Sequence, residues 1–182
     1  MPRWARAIER YMAMDDDVWR RHENPWSGWT RVPILPAFAA CLWSRDRLGW
    51  WFLIPTAIVF LWIWVNPRVF PPPTDRTAWM TRGVIGERLW LSGVRPAGDG
   101  PRVVRRLTAT ASSAAVVMLV GLALKNLTLT VSGVAVATLA KLWFIDRMVM
   151  LADGSPPPVG GDDVDGVDGG VETASKRPRN VG

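Results

Sequence analysis

The residues best suited to acid–base chemistry in this sequence are its single histidine and a few carboxylates. His22 can act as a base if Glu23 or Glu87 orients its imidazole ring, and Asp146 can join them. The alternative is structural, because His22 is expected to end a short helix, where the helix dipole favours a histidine. We favour the structural role, since the sequence contains no GxSxG, HExxH or P-loop pattern.

Arginines form the second group of candidates, and their chemistry is anion binding. Arg82, Arg88 and Arg147 can hold the phosphate of a phospholipid head group, or they can act only as positive anchors at the membrane surface. They belong, with the histidine, to four polar stretches that we expect on one membrane face. The candidates for a functional patch there are His22, Asn24, Trp26, Arg31, Asn66, Arg68, Arg82, Glu87, Arg88, Asp146 and Arg147.

Metal and disulfide chemistry find little support in the sequence. The chain has one cysteine, Cys41, inside an apolar segment, and one histidine, so neither a disulfide framework nor a multi-histidine site can form within it. A short acidic run at residues 163–172 matches only a fragment of the EF-hand pattern. We therefore assign no catalytic, cofactor-binding or metal-binding residue, and we expect no cofactor.

Four apolar segments must position these polar stretches. They cover residues 32–43, 48–65, 107–124 and 127–140, and none of them contains a charged side chain. A membrane-spanning helix needs about 20 apolar residues, with a range of about 17–25. The second and third segments satisfy this length, and the fourth does so if Lys141 extends its amine toward the membrane surface. The first segment, with prolines near its start, either spans the membrane or enters and leaves on one side.

The distribution of tryptophan and arginine supports a membrane location. Twelve tryptophans accompany one tyrosine, and the indole ring favours the membrane–water interface. Trp50 and Trp51 lie at one end of the second apolar segment, and Trp62 and Trp64 lie at the other. The net charge of +6 suits anionic lipid better than nucleic acid, because the arginines flank apolar segments instead of forming one dense tract. We expect no nucleic-acid partner.

Short links between the apolar segments predict two helical hairpins. Residues 44–47 join the first pair of segments and residues 125–126 join the second, so each pair should run antiparallel. The region before residue 32 holds six arginines, and residues 66–106 hold eight. The positive-inside rule therefore predicts that both termini and the central region are cytoplasmic, with the two short links outside.

The two ends of the chain carry different patterns. Residues 3–21 place apolar and basic side chains at near-helical spacing, which predicts an amphipathic helix in the membrane surface, with a solvated helix as the alternative. Asp15 is a suitable cap for its last part, a short helix that ends near His22. Residues 152–182 are dominated by Gly, Pro and Asp, and we expect them to be disordered. Three methionines are candidate start residues, namely Met1, Met12 and Met14.

At four motifs the chain resembles a family of small prokaryotic membrane proteins, archaeal members included, that is known only as a domain of unknown function. The motifs are HENPWSGWTR, NPRVFPPP, RGVIGERLW and KLWFIDRM, and the resemblance covers about residues 14–151. These motifs are fairly specific together and weak singly. The resemblance implies a membrane location, assigns no activity and supplies no catalytic residues.

These patterns predict an all-α membrane protein with about four transmembrane helices in two hairpins. We expect a structural, interaction or lipid-associated role in the cell membrane, with a small transporter or channel subunit and a membrane-bound enzyme acting on lipid as alternatives. The expected partners are the lipid bilayer and either another copy of the chain or another membrane protein. The expected regions are an interfacial N-terminal part, a first hairpin, a cytoplasmic linker with a short interfacial helix, a second hairpin and a tail, at residues 1–31, 32–65, 66–106, 107–151 and 152–182.

Overall fold

The computed structural model describes residues 15–154, and all regular structure in that range is helical. The prediction of an all-α protein is therefore confirmed for these residues. The elements are α1 Asp16–His22, α2 Pro25–Trp29, α3 Ile34–Trp43, α4 Arg45–Leu48, a 3₁₀ turn Gly49–Phe52, α5 Leu53–Val69, α6 Trp79–Ser92, α7 Gly100–Ala123 and α8 Leu127–Asp153.

Three helical segments are long and apolar enough to cross a membrane. They are Arg45–Val69 with 25 residues, Gly100–Ala123 with 24 and Leu127–Asp153 with 27. At about 1.5 Å per residue, each is longer than the roughly 30 Å of hydrocarbon in a bilayer. The last of them runs through Lys141 without a break, as the sequence predicts for an apolar segment that continues past its lysine.

The first apolar segment, for which the sequence predicts either a membrane-spanning or a re-entrant course, forms a shorter helix than the three long segments. Its helix, α3, has only ten residues, or about 15 Å, which is half of the hydrocarbon thickness. The end of α3 nevertheless lies beside the link between α7 and α8, because Lys125 Nζ donates to the Trp43 carbonyl at 3.0 Å. Ala39 of α3 also packs with Met118 and Leu122 of α7. Helices α3 and α7 therefore run in the same direction and end at the same level.

Helices α7 and α8 pack against each other along their length, and glycines set their separation. A Cβ at Gly121 would lie 2.5 Å from the backbone nitrogen of Thr130, and a Cβ at Gly133 would lie 2.5 Å from that of Met118. The order of these paired positions shows that the two helices run antiparallel. Because only glycine permits so close an approach of two backbones, these residues fix α8 against α7.

Helix α6 lies against the second half of α8. Gly86 faces α8 so closely that a Cβ there would overlap the Met148 carbonyl oxygen. This packing brings the Glu87 side chain of α6 to Lys141 of α8. A buried cluster supports the contact region, and its members are Val104, Leu107, Phe144, Met148 and Leu151.

The tryptophans at the two ends of the α5 segment mostly face outward. Trp50 and Trp51 on the 3₁₀ turn are exposed, and so is Trp64 near the other end. Trp62 instead packs edge-on against Phe70, with ring centroids 6.5 Å apart. Exposed indoles at both ends of an apolar helix are the placement expected for the two membrane–water interfaces.

At the start of the described range, α1 begins where the sequence predicts. Asp15 caps it, because its carboxylate accepts a hydrogen bond from the Val18 backbone N–H at 2.8 Å. Most of the amphipathic segment at residues 3–21 lies outside the described residues, as do the three candidate start methionines. The tail predicted at residues 152–182 begins too early, because Ala152 and Asp153 still belong to α8; its part beyond Gly154 lies outside the described residues.

Candidate functional site

A buried hydrogen-bond network joins α1, α2 and α5 around His22. Asn24 caps α2 by accepting a hydrogen bond from the Trp26 N–H at 3.0 Å, and Pro25 occupies the first turn of that helix, where proline is favourable. The short connection turns the chain back, so that Ser27 Oγ lies 2.7 Å from His22 Nδ1. The HENPWSG motif therefore folds locally around the histidine.

The hydrogen bonds of this network determine which nitrogen of the His22 ring carries the proton. Ser27 Oγ donates to Asn66 Oδ1 at 2.8 Å, so it accepts a hydrogen bond from His22 Nδ1. Asn66 Nδ2 donates in turn to Thr30 Oγ1 at 2.7 Å, and Thr30 Oγ1 donates to the Trp26 carbonyl at 2.7 Å. The proton of the neutral imidazole therefore lies on Nδ1, and Nε2 is an acceptor.

Burial keeps this imidazole neutral. His22 is 3% exposed, and its partners Ser27 and Asn66 are both 0% exposed. Burial, together with the nearby positive charge of Arg31, lowers the pKa of His22 to about 3, because a charged imidazole would lose its hydration there. His22 is therefore uncharged at neutral pH and acts as a fixed hydrogen-bonding group.

The second ring nitrogen of His22 holds the guanidinium of Arg31. Arg31 Nη1 donates to His22 Nε2 at 3.0 Å, and Nη2 donates to the Ile63 carbonyl at 3.3 Å. The Nε of Arg31 is buried and has no hydrogen-bond partner among the described residues. Burial lowers the pKa of this guanidinium. Within residues 15–154, all hydrogen-bond partners of Arg31 are therefore uncharged.

A cavity of about 210 Å³ adjoins Arg31 between α3, α6 and α8. Two classes of side chain line it, one able to bind charge and one able to bury apolar surface. The polar members are His22, Arg31, Glu87, Thr138 and Lys141. The other members are Gly28, Val32, Leu35, Met80, Gly83, Val84, Ala137, Leu142 and Ile145. This composition is typical of a small-molecule site, where few polar groups orient a ligand among many apolar ones.

An ion pair between α6 and α8 borders the same cavity. Lys141 Nζ lies 3.1 Å from Glu87 Oε1, with side chains that are 53% and 29% exposed, so this part of the cavity reaches the surface. Burial raises the pKa of the Glu87 carboxyl, but the positive charge and the hydrogen bond of Lys141, together with the positive charge of Arg31, outweigh it, and the net pKa is lowered. Glu87 is therefore ionised and acts on both cations, so Arg31, Lys141 and Glu87 together carry one net positive charge.

Glu23 and Glu87, which the sequence suggested as partners of His22, instead form ion pairs with other residues. Glu23 lies 3.3 Å from Arg76, and Glu87 pairs with Lys141. Glu23 is 5% exposed, and burial raises its pKa against the opposing charge of Arg76. Within the described range no carboxylate hydrogen-bonds the imidazole, and no group of three or more His, Cys, Asp and Glu side chains is placed to hold a metal ion.

The remaining candidates from the polar motifs lie away from the cavity. Asn24 Nδ2 donates to the Pro71 carbonyl at 2.9 Å, which ties the loop after α5 to α2. Trp26 is 65% exposed, and the Arg68 guanidinium lies 4.2 Å from the ring centroid of Trp64. Three further arginines pair with aspartates, namely Arg82 with Asp153, Arg88 with Asp16 and Arg147 with Asp146. These pairs are partly exposed and are therefore weak contributors to stability.

Sequence reasoning finds about half of the polar residues that meet at this site. Those it selects are His22, Arg31, Asn66 and Glu87. It does not select Ser27 and Thr30, although two hydroxyls inside the tryptophan-rich HENPWSGWTR motif were a usable signal. It treats Lys141 only as a residue at the membrane surface, because the Glu87 partner is 54 residues away.

Comparisons with known proteins place the chain in a family. No curated protein and no solved structure matches it. The model of a family described as a family of unknown function, DUF6653, matches residues 4–166. This match confirms the resemblance to a domain of unknown function and extends beyond residues 14–151 on both sides. Because the match covers most of its length, the chain belongs to the DUF6653 family, whose function is unknown.

Proposed function

We propose that this protein is a lipid-associated, multi-pass membrane protein that binds an anionic group in the cavity beside Arg31. The observation that carries the proposal is that all hydrogen-bond partners of the Arg31 guanidinium among the described residues are neutral. It donates to the imidazole of His22 and to the carbonyl of Ile63, and its Nε has no partner in the described part of the chain. Glu87 borders the same cavity but pairs with Lys141, so an anion in the cavity balances the remaining net positive charge and gives Arg31 a charged hydrogen-bond partner.

Energetics favour an anion at this position. Removing a guanidinium from water costs free energy, and burial lowers the pKa of Arg31 although the negative charge of Glu87 acts in the opposite direction. Hydrogen bonds from a guanidinium to a carboxylate or phosphate are short and strong, and a guanidinium can make two of them in parallel. The Nε–H of Arg31 has no hydrogen-bond partner among residues 15–154.

Binding suits this geometry better than acid–base catalysis. His22 donates from Nδ1 to Ser27 and accepts at Nε2 from Arg31, so neither ring nitrogen is available to take a proton from a substrate. Its pKa of about 3 also lies far from the value near neutrality that suits a general base. His22 therefore acts as a positioning residue for Arg31.

We place the cavity in the acyl-chain region near one membrane surface. Lys141 stands roughly 21 Å along α8 from Leu127, in a hydrocarbon layer about 30 Å thick. If the α7–α8 link marks one membrane surface, the cavity is about 9 Å inside the other. An anion there can belong to an amphiphile that resides in the bilayer.

We place both termini and the surface nearest to Arg31 in the cytoplasm, in accordance with the positive-inside rule. Helix α3 then leads from the level of Arg31 to the outer surface, where Trp43 meets Lys125. In this arrangement α3 and the turn before it form the outer part of a fourth crossing, because α3 alone is too short to span the hydrocarbon.

Anion binding to the detergent-solubilised protein tests the proposal. Calorimetric titrations with inorganic phosphate and with acetate should show binding to the wild type, and Arg31→Gln should abolish it. Arg102→Gln removes the same charge from an exposed side chain at the start of α7 and should leave binding unchanged. The proposal is wrong if the wild type binds neither anion, or if Arg31→Gln binds them as well as the wild type does.

A further inference from the structure

Around Arg31 the cavity offers more apolar than polar surface. Its larger aliphatic side chains come from α6, α8 and the region where α3 begins, and they are Val32, Leu35, Met80, Val84, Leu142 and Ile145. A ligand that met only the charge of Arg31 would leave this surface facing water or empty space, which is unfavourable. The lining fits a ligand that carries an anionic group and an apolar part.

We infer that the ligand is a single-chain amphiphile whose head is a carboxylate or a phosphate monoester. The inference rests on the proposed function, because the head occupies the anion position beside Arg31. The cavity of about 210 Å³ is somewhat larger than an apolar cavity of about 150 Å³ that holds one benzene molecule. That space suits one short alkyl segment and is too small for the two acyl chains of a phospholipid.

Two glycines shape the apolar walls for such a chain. A Cβ at Gly28 would overlap the Met80 side chain, and a Cβ at Gly83 would overlap the Ile145 side chain, so glycine at both positions allows these side chains to line the cavity. Methionine is flexible and polarisable, and it adapts to irregular shapes. An alkyl chain, which has many conformers of its own, packs well against a wall of this kind.

Helix α8 connects the cavity with the surface that we place in lipid. Leu142 and Ile145 line the cavity, whereas Leu139 and Trp143 of the same helix are 65% and 57% exposed. Lys141, which borders the cavity, is itself partly exposed. The cavity and the lipid-facing surface are therefore separated by a single helix, and the bilayer can supply an amphiphile directly.

A chain-length series tests the inference on the wild type. The protein in a non-ionic detergent is titrated with acetate, butyrate, hexanoate and octanoate, and the Arg31→Gln variant corrects for partition into micelles. Affinity should rise by about fourfold per buried methylene and should level off when the cavity is full. Equal affinity across the series would overturn the inference and leave the proposed function intact, whereas no binding by any member would overturn both.

A pair of matched variants locates the alkyl chain. Leu142→Trp adds volume inside the cavity, and Leu139→Trp makes the same change on the exposed side of the same helix. We expect Leu142→Trp to weaken octanoate binding at least about tenfold while acetate binding stays as in the wild type. Leu139→Trp should bind both ligands normally. Equal octanoate affinity in the two variants would place the chain outside this cavity and contradict the inference.

Competition distinguishes a single-chain ligand from a bilayer phospholipid. Hexyl phosphate should displace octanoate from the wild type, because both present an oxyanion and one chain. Phosphatidic acid, which has a phosphate monoester and two acyl chains, should not displace it. Displacement by phosphatidic acid as strong as by hexyl phosphate would assign the site to phospholipid head groups and would overturn the single-chain inference.

Discussion

Arg31 and His22 are joined by a hydrogen bond of 3.0 Å in which the guanidinium donates and the imidazole Nε2 accepts. This bond explains how the one histidine of the chain serves in the interior as a neutral side chain. Its Nε2 accepts a hydrogen bond from Arg31, and its Nδ1 donates one to Ser27. A histidine in that role supports the site, and changes around it should affect stability as well as anion binding.

Ser27→Ala should lower the free energy of unfolding by about 1–3 kcal/mol, because His22 Nδ1 and Asn66 Oδ1 would stay buried without their partner. Ser92→Ala is the matched control, since that hydroxyl donates to the Leu89 carbonyl at an exposed helix end. The control should change stability by less than about 0.5 kcal/mol. Reversible unfolding in mixed SDS and non-ionic micelles measures both, and equal effects would show that the buried network contributes nothing specific.

Acid should destabilise the fold through His22. Its pKa is about 3 in the folded chain, against an ordinary value of 6.5, so below pH 6.5 the unfolded chain binds a proton that the folded chain does not. Stability attributable to His22 is therefore complete above pH 6.5 and falls as the pH decreases toward 3, by up to about 1.4 kcal/mol per pH unit.

The variant His22→Gln isolates this pH dependence, because its amide oxygen can still accept from Arg31. Its free energy of unfolding should fall less steeply than that of the wild type between pH 7 and pH 5. Glu23, whose raised pKa acts with the opposite sign, is present in both proteins and cancels in the difference. Parallel pH profiles for the two proteins would contradict the buried, neutral state of His22.

Glu87→Gln should tighten anion binding at Arg31. The Glu87 carboxylate borders the cavity and pairs with Lys141, so it repels an incoming anion and engages the second cation. Removing about 1 kcal/mol of repulsion corresponds to about a fivefold gain in affinity, and the gain should shrink in high salt. Asp75→Asn, in the loop between α5 and α6, is the control. Weaker acetate binding by Glu87→Gln would mean that the ion pair organises the site.

At the end of the bundle opposite Arg31, the link after α3 and the link after α7 lie side by side, and a cation from each link bonds to a carbonyl of the other helix. Arg45 Nη2 donates to the Leu122 carbonyl at 2.7 Å, and Lys125 Nζ donates to the Trp43 carbonyl at 3.0 Å. Asp46 accepts from Lys125 Nζ at 2.6 Å. Each cation thus satisfies a carbonyl at the end of another helix, where intrahelical partners are missing.

The backbone conformation at Lys125 allows a second test of this contact. Lys125 has a positive φ of 54°, which costs a residue with a Cβ roughly 1–2 kcal/mol. Both Lys125→Ala and Lys125→Gly lose the side-chain bonds, but only glycine relieves the backbone strain. The glycine variant should therefore be more stable than the alanine variant by about 1 kcal/mol. At Leu124, where φ is −81°, alanine should be the better residue. Unfolding of the four variants measures this, and the same order at both positions would refute the argument.

The helices could largely be predicted from the sequence, whereas the site could be predicted only in part. The uncharged runs at residues 107–124 and 127–140 specify α7 and α8 by their length, and Asp15 marks the start of α1 by local capping. The sequence selects Arg31 as part of the HENPWSGWTR motif, but it does not predict that this residue is buried, because an arginine at the end of a tryptophan-rich motif resembles a surface anchor. Its burial depends on His22 and on the Ile63 carbonyl, which is 32 residues away, and contacts of that kind leave no periodic pattern.

Cysteine labelling tests the orientation and the placement of α3 together. With Cys41 replaced by alanine, single cysteines at Arg47, Asn126 and Thr74, all exposed positions, are treated with a membrane-impermeant reagent. The bond between Lys125 and the Trp43 carbonyl puts the first two sites at one end of the bundle, so they should label from the same side, which we expect to be outside.

Thr74 should label only after the membrane is permeabilised, because the loop after α5 lies at the other end, near Arg31. The reverse pattern at all three sites would keep the fold and invert its orientation in the membrane. If cysteines at positions 47 and 126 were labelled from opposite sides, the two links would lie at opposite membrane surfaces. In that case α3 could not run beside α7 to the α7–α8 link, and the walls of the cavity that depend on Val32 and Leu35 would be misplaced.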